Sequence, residues 1–252
     1  MTPNNLRSPP NAYLTMPGPK FLDHRMSMEA MNTYIDEVAR RPKAARHEGF
    51  REIFSALFNF THDQQLGLIR RMIIRTIKMN DDQLAEFSDM LIRQSEALNA
   101  EKNIDEVIDY AKQVSEWLLD AVIMRTSECI IDTCIRVSAL GQHHPGLLDA
   151  FLTEQVMQAL DQAPVYETGL VPAAAKMIWN LSPEHSLPYL RGLFDRIPED
   201  TPTTTVERIS ALEALVEVTE YLVPQPGSPE LTARIRETLN QARIRVGDNP
   251  VQ

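Results

Sequence analysis

Apolar residues recur every three or four positions along nearly all of the chain, from about Ser27 to Val246. This spacing places them on one side of an α-helix, and no segment shows the sustained alternation of a half-buried β-strand. Only 9 of the 252 residues are glycine, which is few for the tight turns of an all-β fold. The pattern therefore predicts an all-α protein, long enough to bury a sizeable core.

Short polar segments with helix-start signals divide this pattern into about ten helices. Thr61, Asn80 and Asn103 each stand three residues before a glutamine or glutamate, as in a capping box. Ser182 and Ser228 each precede proline and glutamate, which is typical of an N-cap followed by proline at the first helical position. Because the connections are short, successive helices should be antiparallel. Two arrangements satisfy this: stacked helical pairs, as in an α-solenoid, or a multi-helix bundle.

Some helix boundaries follow from single residues. We expect the long pattern that begins at Asn103 to break near 125–127, with Ser127 capping the second piece. Gly141 should end that piece as a C′ residue, and Pro145 should open the next helix. A further helix is expected over 165–181.

The first 25 residues differ from the rest in being rich in proline and asparagine. We predict an extended arm over 1–25 and a single helical domain over 26–252, with a sub-boundary near 141–145. The arm carries more apolar residues than a linker needs, so we expect it to dock on its own body, a second copy or a partner. Its candidate anchors are Tyr13, Leu14, Met16, Phe21 and Leu22.

Charge is distributed unevenly in a chain of net charge −10. Residues 1–80 hold 12 Lys and Arg against 7 Asp and Glu, and residues 81–252 hold 13 against 28. The basic residues near the start of the helical region either form a patch for phosphates or an acidic protein, or lie on a solvated face paired with Asp81, Asp82 and Glu86. They are Arg40, Arg41, Lys43, Arg46, Arg71, Arg75 and Lys78.

Further along, the glutamates at 213, 217 and 220 form one stripe, and like charges at this spacing repel. We expect the final helix to pack antiparallel against this stripe and to pair with it through Arg234, Arg236, Arg243 and Arg245. Trp117 and Trp179 lie among apolar residues and are predicted to be core residues.

Motifs that carry catalytic or cofactor chemistry are absent from the sequence. It has no Glu-x-x-His pair, no His-Glu-x-x-His, no glycine-rich phosphate loop and no Gly-x-Ser-x-Gly. Cys129 and Cys134 lie about 140° apart on a helix and are expected to be inert buried thiols in a reducing compartment. His143-His144 lacks further ligands for a metal site. We therefore expect a non-enzymatic protein without a cofactor.

One stretch resembles a known family. Residues 171–182, Val-Pro-Ala-Ala-Ala-Lys-Met-Ile-Trp-Asn-Leu-Ser, are similar to the inner helix of an armadillo repeat, through the alanine-rich start followed by Trp-Asn-Leu-Ser. Residues 186–222 resemble one further unit of the armadillo or HEAT type. The resemblance implies a superhelical scaffold that binds other proteins. Armadillo proteins often hold a peptide through a ladder of asparagines, and only Asn180 stands at such a position.

The prediction from sequence is a scaffold or adaptor subunit that docks through its arm and helical surface onto a protein partner or a second copy. One alternative is an enzyme or small-molecule sensor with an interhelical pocket near His47, Tyr110, Cys134 or Tyr189. Another is a phosphate- or RNA-binding module, which the acidic net charge and few aromatics disfavour. No apolar run is long enough to span a membrane. A cytoplasmic location is expected, with an organellar matrix as the alternative.

Overall fold

The computed structural model describes residues 27–76, 79–101, 104–141, 144–163, 169–197, 205–222 and 225–246. Within these ranges the chain forms α-helices and 3-10 helices and no strand, which confirms the all-α prediction. None of the described helices combines the length and the apolar character that crossing a membrane requires.

The helices follow one another through short connections, and two of them are extended by 3-10 turns. The α-helices are α1 (Met28–Ala39), α2 (Lys43–Leu57), α3 (His62–Thr76), α4 (Asp81–Glu101), α5 (Ile104–Val122), α6 (Ser127–Ser138), α7 (Asp149–Gln162), α8 (Leu170–Ala175), α9 (Pro183–Asp195), α10 (Thr205–Tyr221) and α11 (Ser228–Val246). The 3-10 segments are Ala139–Gly141 after α6 and Lys176–Asn180 after α8.

The chain divides into two units, residues 1–68 and 69–252, and the division falls within α3. The predicted division into an arm and a single helical domain, with a sub-boundary near 141–145, stays a prediction. In the first unit α1 packs against α2. Their contact is close at Gly49, where an added Cβ would lie 2.7 Å from Val38 Cγ2. The apolar faces of α1 and α2 are buried at Met31, Tyr34, Ile35, Val38, Phe50, Ile53, Phe54 and Leu57.

The second unit is a stack of helical pairs in two layers. In one layer α4 packs against α6, α6 against α8, and α8 against α10. In the other α7 packs against α9 and α9 against α11, while α5 packs against α4 and α6. Consecutive helices also contact each other across the layers, as α6 with α7 and α10 with α11. This is the first of the two arrangements that the short connections allow.

Ion pairs show the relative direction of two pairs of helices. Glu220 contacts Arg236 and Glu213 contacts Arg243, so α10 and α11 are antiparallel. α4 and α6, which are neighbours in one layer, are parallel, because Asp81 at the start of α4 contacts Arg125 just before α6 while Asp89 contacts Arg136 near the end of α6. Parallel neighbours in a layer and antiparallel partners between layers define a helical-repeat stack.

α6 lies at the centre of this stack and is buried on most of its surface, with contacts to α4, α5, α7 and α8. Seven of its 12 residues are buried, and the exposed ones include the charged residues Glu128 and Asp132. Its two buried hydroxyl residues satisfy their donors locally: Thr133 donates to the Cys129 carbonyl at 2.8 Å and Ser138 to the Ile135 carbonyl at 2.6 Å. The buried apolar residues of α6 are Cys129, Ile130, Ile131, Cys134 and Val137.

Several predicted boundaries are confirmed. The Thr61 N–H donates to Gln64 Oε1 at 3.1 Å, and Asn80 and Gln83 exchange side-chain and backbone hydrogen bonds as a capping box requires. The break between α5 and α6 lies where it was expected. The N-cap of α6 is Thr126 and not Ser127, because the Thr126 hydroxyl accepts a hydrogen bond from the Cys129 N–H at 3.3 Å. Ser127 is the first helical residue instead.

Other boundaries were wrong. α7 begins at Asp149 and not at Pro145, because residues 145–148 form a turn in which Gly146 takes φ +86°. Gly141 ends a 3-10 turn and does not take the positive φ of a C′ glycine. Ser228 is the first residue of α11 and not its N-cap, because the Leu231 N–H donates to the Gly227 carbonyl at 3.3 Å.

Candidate protein-interaction surface

The predicted arm anchors Tyr13, Leu14, Met16, Phe21 and Leu22 lie outside the described residues, and so do Lys78 and the side chain of Lys43. Arg40 is exposed. The structure therefore locates only part of the surface that the sequence nominates.

In the first unit, two predicted basic residues stabilise the end of α1. Arg41 stacks over the Tyr34 ring with its guanidinium 4.9 Å from the ring centre, and donates to the Tyr34 hydroxyl at 3.3 Å. Arg46 donates twice to the Arg41 carbonyl, at 3.2 and 3.0 Å. The Tyr34 hydroxyl in turn donates to Glu52, and burial together with this bond raises the pKa of Tyr34 to about 12. Arg41 and Arg46 thus have a structural role.

Arg71 and Arg75 lie half-buried on α3, in the second unit. The two predicted basic groups therefore belong to different units, and a single patch stays a prediction. Asp81, one expected counter-charge, contacts Arg125 at 2.5 Å. Arg125 also donates to the Met79 carbonyl at 2.6 Å.

Two of the three glutamates in the acidic stripe on α10 pair with arginines of α11, as predicted. Arg236 contacts Glu220 at 2.5 Å and Arg243 contacts Glu213 at 2.6 Å. These pairs relieve the repulsion that the three glutamates would otherwise exert along α10. Arg234 behaves differently, since its guanidinium lies over the Phe194 ring, 5.5 Å from the ring centre.

A serine, a histidine and an aspartate meet where α7 and α9 begin. Ser182 Oγ lies 3.1 Å from His185 Nδ1, and Asp149 Oδ2 lies 3.5 Å from the same nitrogen. In a nucleophilic triad the hydroxyl and the carboxylate face opposite ring nitrogens. Here both face Nδ1, so the cluster cannot relay a proton from the serine. Sequence analysis missed this contact, whose only local signal is the Ser-Pro-Glu-His start of α9.

The contacts of Asp149 show that the cluster has a structural role. The buried Asp149 carboxylate accepts the backbone N–H of Ser182 at 2.7 Å. Ser182 is the N-cap residue of α9, with Pro183 at the first helical position, as predicted, although its hydroxyl makes no capping bond. A carboxylate from α7 thus satisfies a backbone donor at the start of α9.

Of the four side chains nominated for an interhelical pocket, His47 lies in the first unit, and Tyr110, Cys134 and Tyr189 are buried in the second. The hydroxyls of Tyr110 and Tyr189 donate to the carbonyls of Leu91 and Ala174 at 3.1 and 2.7 Å. Burial raises the pKa of both tyrosines, and it raises the pKa of Cys134 to about 12. Burial, with Asp81 alongside, raises the pKa of Cys129 to about 11. Both thiols are free and buried, as predicted, and a protonated thiol is a poor nucleophile.

Surface clefts in the part of the second unit that the structure describes include the following three. One of about 210 Å³ lies between α4 and α6, one of about 370 Å³ among α9, α10 and α11, and one of about 570 Å³ between α10 and α11. None of the three is lined by Tyr110, Cys134 or Tyr189. Within the described ranges, no three His, Cys, Asp or Glu side chains are placed to hold a metal ion.

Trp179 is not a core residue. It is 53% exposed and contacts Tyr221, which is 65% exposed, with ring centres 4.6 Å apart and planes at 85°. The prediction was wrong because the chain turns from α8 into a 3-10 helix at Lys176, and the tighter turn brings Met177 and Ile178 inward and Trp179 outward. Trp117 is half-buried under Arg70, whose guanidinium lies 5.6 Å from the ring centre.

Asn180 does not offer its amide to a peptide. Its Nδ2 donates to Ser138 Oγ at 2.7 Å and joins the 3-10 helix after α8 to the end of α6. The exposed aromatic pair of Trp179 and Tyr221 lies beside this contact. Sequence analysis missed Tyr221, which only the packing of α10 against α8 places beside Trp179.

Comparison with known proteins gives a limited result. No family model matches the chain, and no curated protein matches it. Among solved structures, the chain is similar to the crystal structure of a de novo designed helical repeat protein, with a TM-score of 0.32, 13% identity and coverage of 87% of this chain and 94% of that one.

Proposed function

We propose that this protein is a non-enzymatic interaction scaffold or adaptor subunit, which docks onto a protein partner or a second copy through its N-terminal arm and its helical surface. The exposed contact between Trp179 and Tyr221 carries this proposal. Tryptophan and tyrosine contribute most to binding energy at protein interfaces, and a pair of them left in water exposes apolar area that a partner can bury.

The polar clusters of the second unit support the same function. The Ser182–His185–Asp149 cluster anchors the start of α9, and the α10–α11 ion pairs hold one helical pair together. These side chains have structural partners, so their presence does not argue for a reaction centre. We propose a reducing compartment, the cytoplasm first, because both cysteines are free.

Affinity purification from the native source tests this function with three baits. They are the full chain, a chain lacking residues 1–25, and a full chain with Trp179→Ala and Tyr221→Ala. We expect the full chain to retain a partner, or a second copy, in stoichiometric amount. Shortening the arm or removing the rings should reduce that amount. Light scattering on the purified chain then distinguishes self-association from a foreign partner.

Two results would contradict the proposal. One is a full chain that stays monomeric and retains no partner at low salt. The other is turnover of a substrate, or a tightly bound small molecule, in the purified protein. The alternative of phosphate or RNA binding makes its own prediction, since binding should then fall steeply with salt and disappear on changing Arg71 and Arg75 to glutamate.

A further inference from the structure

The helical pair α10–α11 carries opposite charges on its two helices. The groove of about 570 Å³ between them is lined on α10 by acidic residues and on α11 by basic ones. The charged lining residues are Glu213, Glu217 and Glu220 on α10 and Arg236 and Arg243 on α11. The face of this pair therefore consists of a negative stripe beside a positive stripe.

This groove lies on the side of the pair that faces away from α9. Arg236 and Arg243 line it, whereas Arg234 and Gln241 line the cleft that α11 shares with α9. At 100° per residue, these two sets point to opposite sides of α11. The main contacts of α10 with the described helices are those with α8, α9 and α11. The groove side is therefore where a further helical pair of a stack would pack.

Pairing within the molecule leaves much of this charge in water. The side chains of Glu213, Glu220 and Arg236 remain about half exposed although they form ion pairs. Glu217 is exposed and lies about one turn from each of the other two glutamates. The α11 residues that line the groove between the two arginines are Leu239 and Asn240, which carry no charge. α11 thus supplies no cation at the level of Glu217.

We infer that the α10–α11 face binds the same face of a second copy, across a two-fold axis parallel to the helices. Rotation about this axis exchanges the two sides of the face and keeps each residue at its level along the helices. It therefore places α10 of each copy over α11 of the other. Glu213 then faces Arg243 of the second copy, and Glu217 faces Asn240, whose amide can donate to the carboxylate.

The division of charge between the two helices favours a second copy over an unrelated partner. A face with one acidic and one basic stripe is complementary to itself, whereas a uniformly charged partner would be repelled by one of the stripes. The apolar lining is confined to Val216 and Leu239, so we expect a weak dimer that depends on salt. The inference rests on the proposed scaffold function and commits its partner to a second copy.

The first test is sedimentation velocity of the full chain, from low to high micromolar concentration and at low and high salt. We expect a dimer at low salt that dissociates at high salt. Glu217→Arg should weaken the dimer about tenfold, because the change occurs twice in a two-fold dimer and each exposed charge contact is weak. It should not destabilise the monomer, since it removes repulsion within α10. Circular dichroism melting checks this.

Glu154→Arg is the matched control. Glu154 is exposed on α7, which does not line the groove, so the variant makes the same change of net charge away from the proposed interface. Its dimer should be as strong as that of the unchanged chain.

A mixing experiment tests the two-fold geometry. Asn240→Asp places an acidic residue opposite Glu217 of the other copy and should also weaken the dimer. When the Asn240→Asp chain, labelled at its N-terminus, is mixed with the Glu217→Arg chain, the new arginine faces the new aspartate. Fluorescence-detected sedimentation should therefore show a mixed dimer that is stronger than either variant's own dimer.

The outcomes separate this inference from the scaffold function. The inference is wrong if the chain stays monomeric at low salt, if Glu217→Arg and Glu154→Arg affect the dimer equally, or if the mixed dimer is no stronger than the two variant dimers. It is wrong alone if a monomeric chain still captures a foreign partner from the native source. If the chain is monomeric and captures nothing, the scaffold function itself has failed.

Discussion

The Asp149 carboxylate accepts the backbone N–H of Ser182 at 2.7 Å and thereby joins the start of α7 to the start of α9, 33 residues further along the chain. Both residues are buried. A buried carboxylate that loses this donor, or a donor that loses its carboxylate, would lie unsatisfied in the interior. This contact therefore fixes how two helices of one layer align.

Replacing Asp149 with alanine should lower the free energy of unfolding by about 2 kcal/mol, the usual loss for a hydrogen bond to a charged group. Asp149→Asn keeps an acceptor oxygen and should lose less. Urea denaturation measures both, and Asp161→Ala is the control, because Asp161 is exposed and pairs with Arg196 at the surface. Equal stability of Asp149→Ala and Asp161→Ala would contradict the structural role of this contact.

Gly49 and Gly67 offer a matched pair of substitutions. In Gly49→Ala the new Cβ would lie 2.7 Å from Val38 Cγ2, so α1 and α2 must separate, and we expect a loss of about 1–3 kcal/mol in unfolding free energy. Gly67 lies in α3 with nothing within 4 Å of an added Cβ. Gly67→Ala should stabilise the protein by about 0.5–1 kcal/mol through helix propensity. Thermal unfolding of the two variants should shift in opposite directions.

Each surface ion pair between α10 and α11 should contribute little to the free energy of unfolding. The substitution Arg243→Glu places a second negative charge beside Glu213. It should reduce the free energy of unfolding by about 1 kcal/mol at low salt. The exchange Glu213→Arg with Arg243→Glu should restore most of it. A double-mutant cycle at two salt concentrations measures the coupling. A coupling near zero at low salt would show that the pair does not hold the two helices in register.

The two cysteines should make the protein less stable at alkaline pH. Burial raises the pKa of Cys129 from 9.0 to about 11 and that of Cys134 from 9.0 to about 12, so the folded state keeps protons that the unfolded state releases. The stabilisation is complete below pH 9 and is lost as the pH rises toward 11 and 12. Urea midpoints between pH 8 and 10.5 measure this fall.

Cys129→Ser/Cys134→Ala is the control for that experiment, because a chain without thiols should show a shallower fall over the same pH range. A thiol reagent at pH 8 should also label the folded protein far more slowly than the urea-unfolded chain. Rapid labelling of the folded protein would show that the thiols are not enclosed.

Much of the fold follows from local chemistry. The helix starts at Thr61 and Asn80 depend on side chains three residues away, so the sequence is sufficient to place them. The Glu213 and Glu220 pairs were predictable because charge stripes on consecutive antiparallel helices must face each other. The errors at Pro145 and Trp179 arise where a turn or a 3-10 segment replaces an α-helical turn, a choice that depends on packing.

Periodicity and capping in the sequence by themselves determined an all-α chain, the approximate limits of its helices and the charges they carry, because these depend on interactions within one or two helical turns. Only the tertiary structure decided that α6, α8 and α10 share a layer, that Asp149 meets Ser182, and that Trp179 meets Tyr221 in solvent. Those contacts join residues 33 or more positions apart, and no local pattern specifies which of several similar apolar helix faces will pack together.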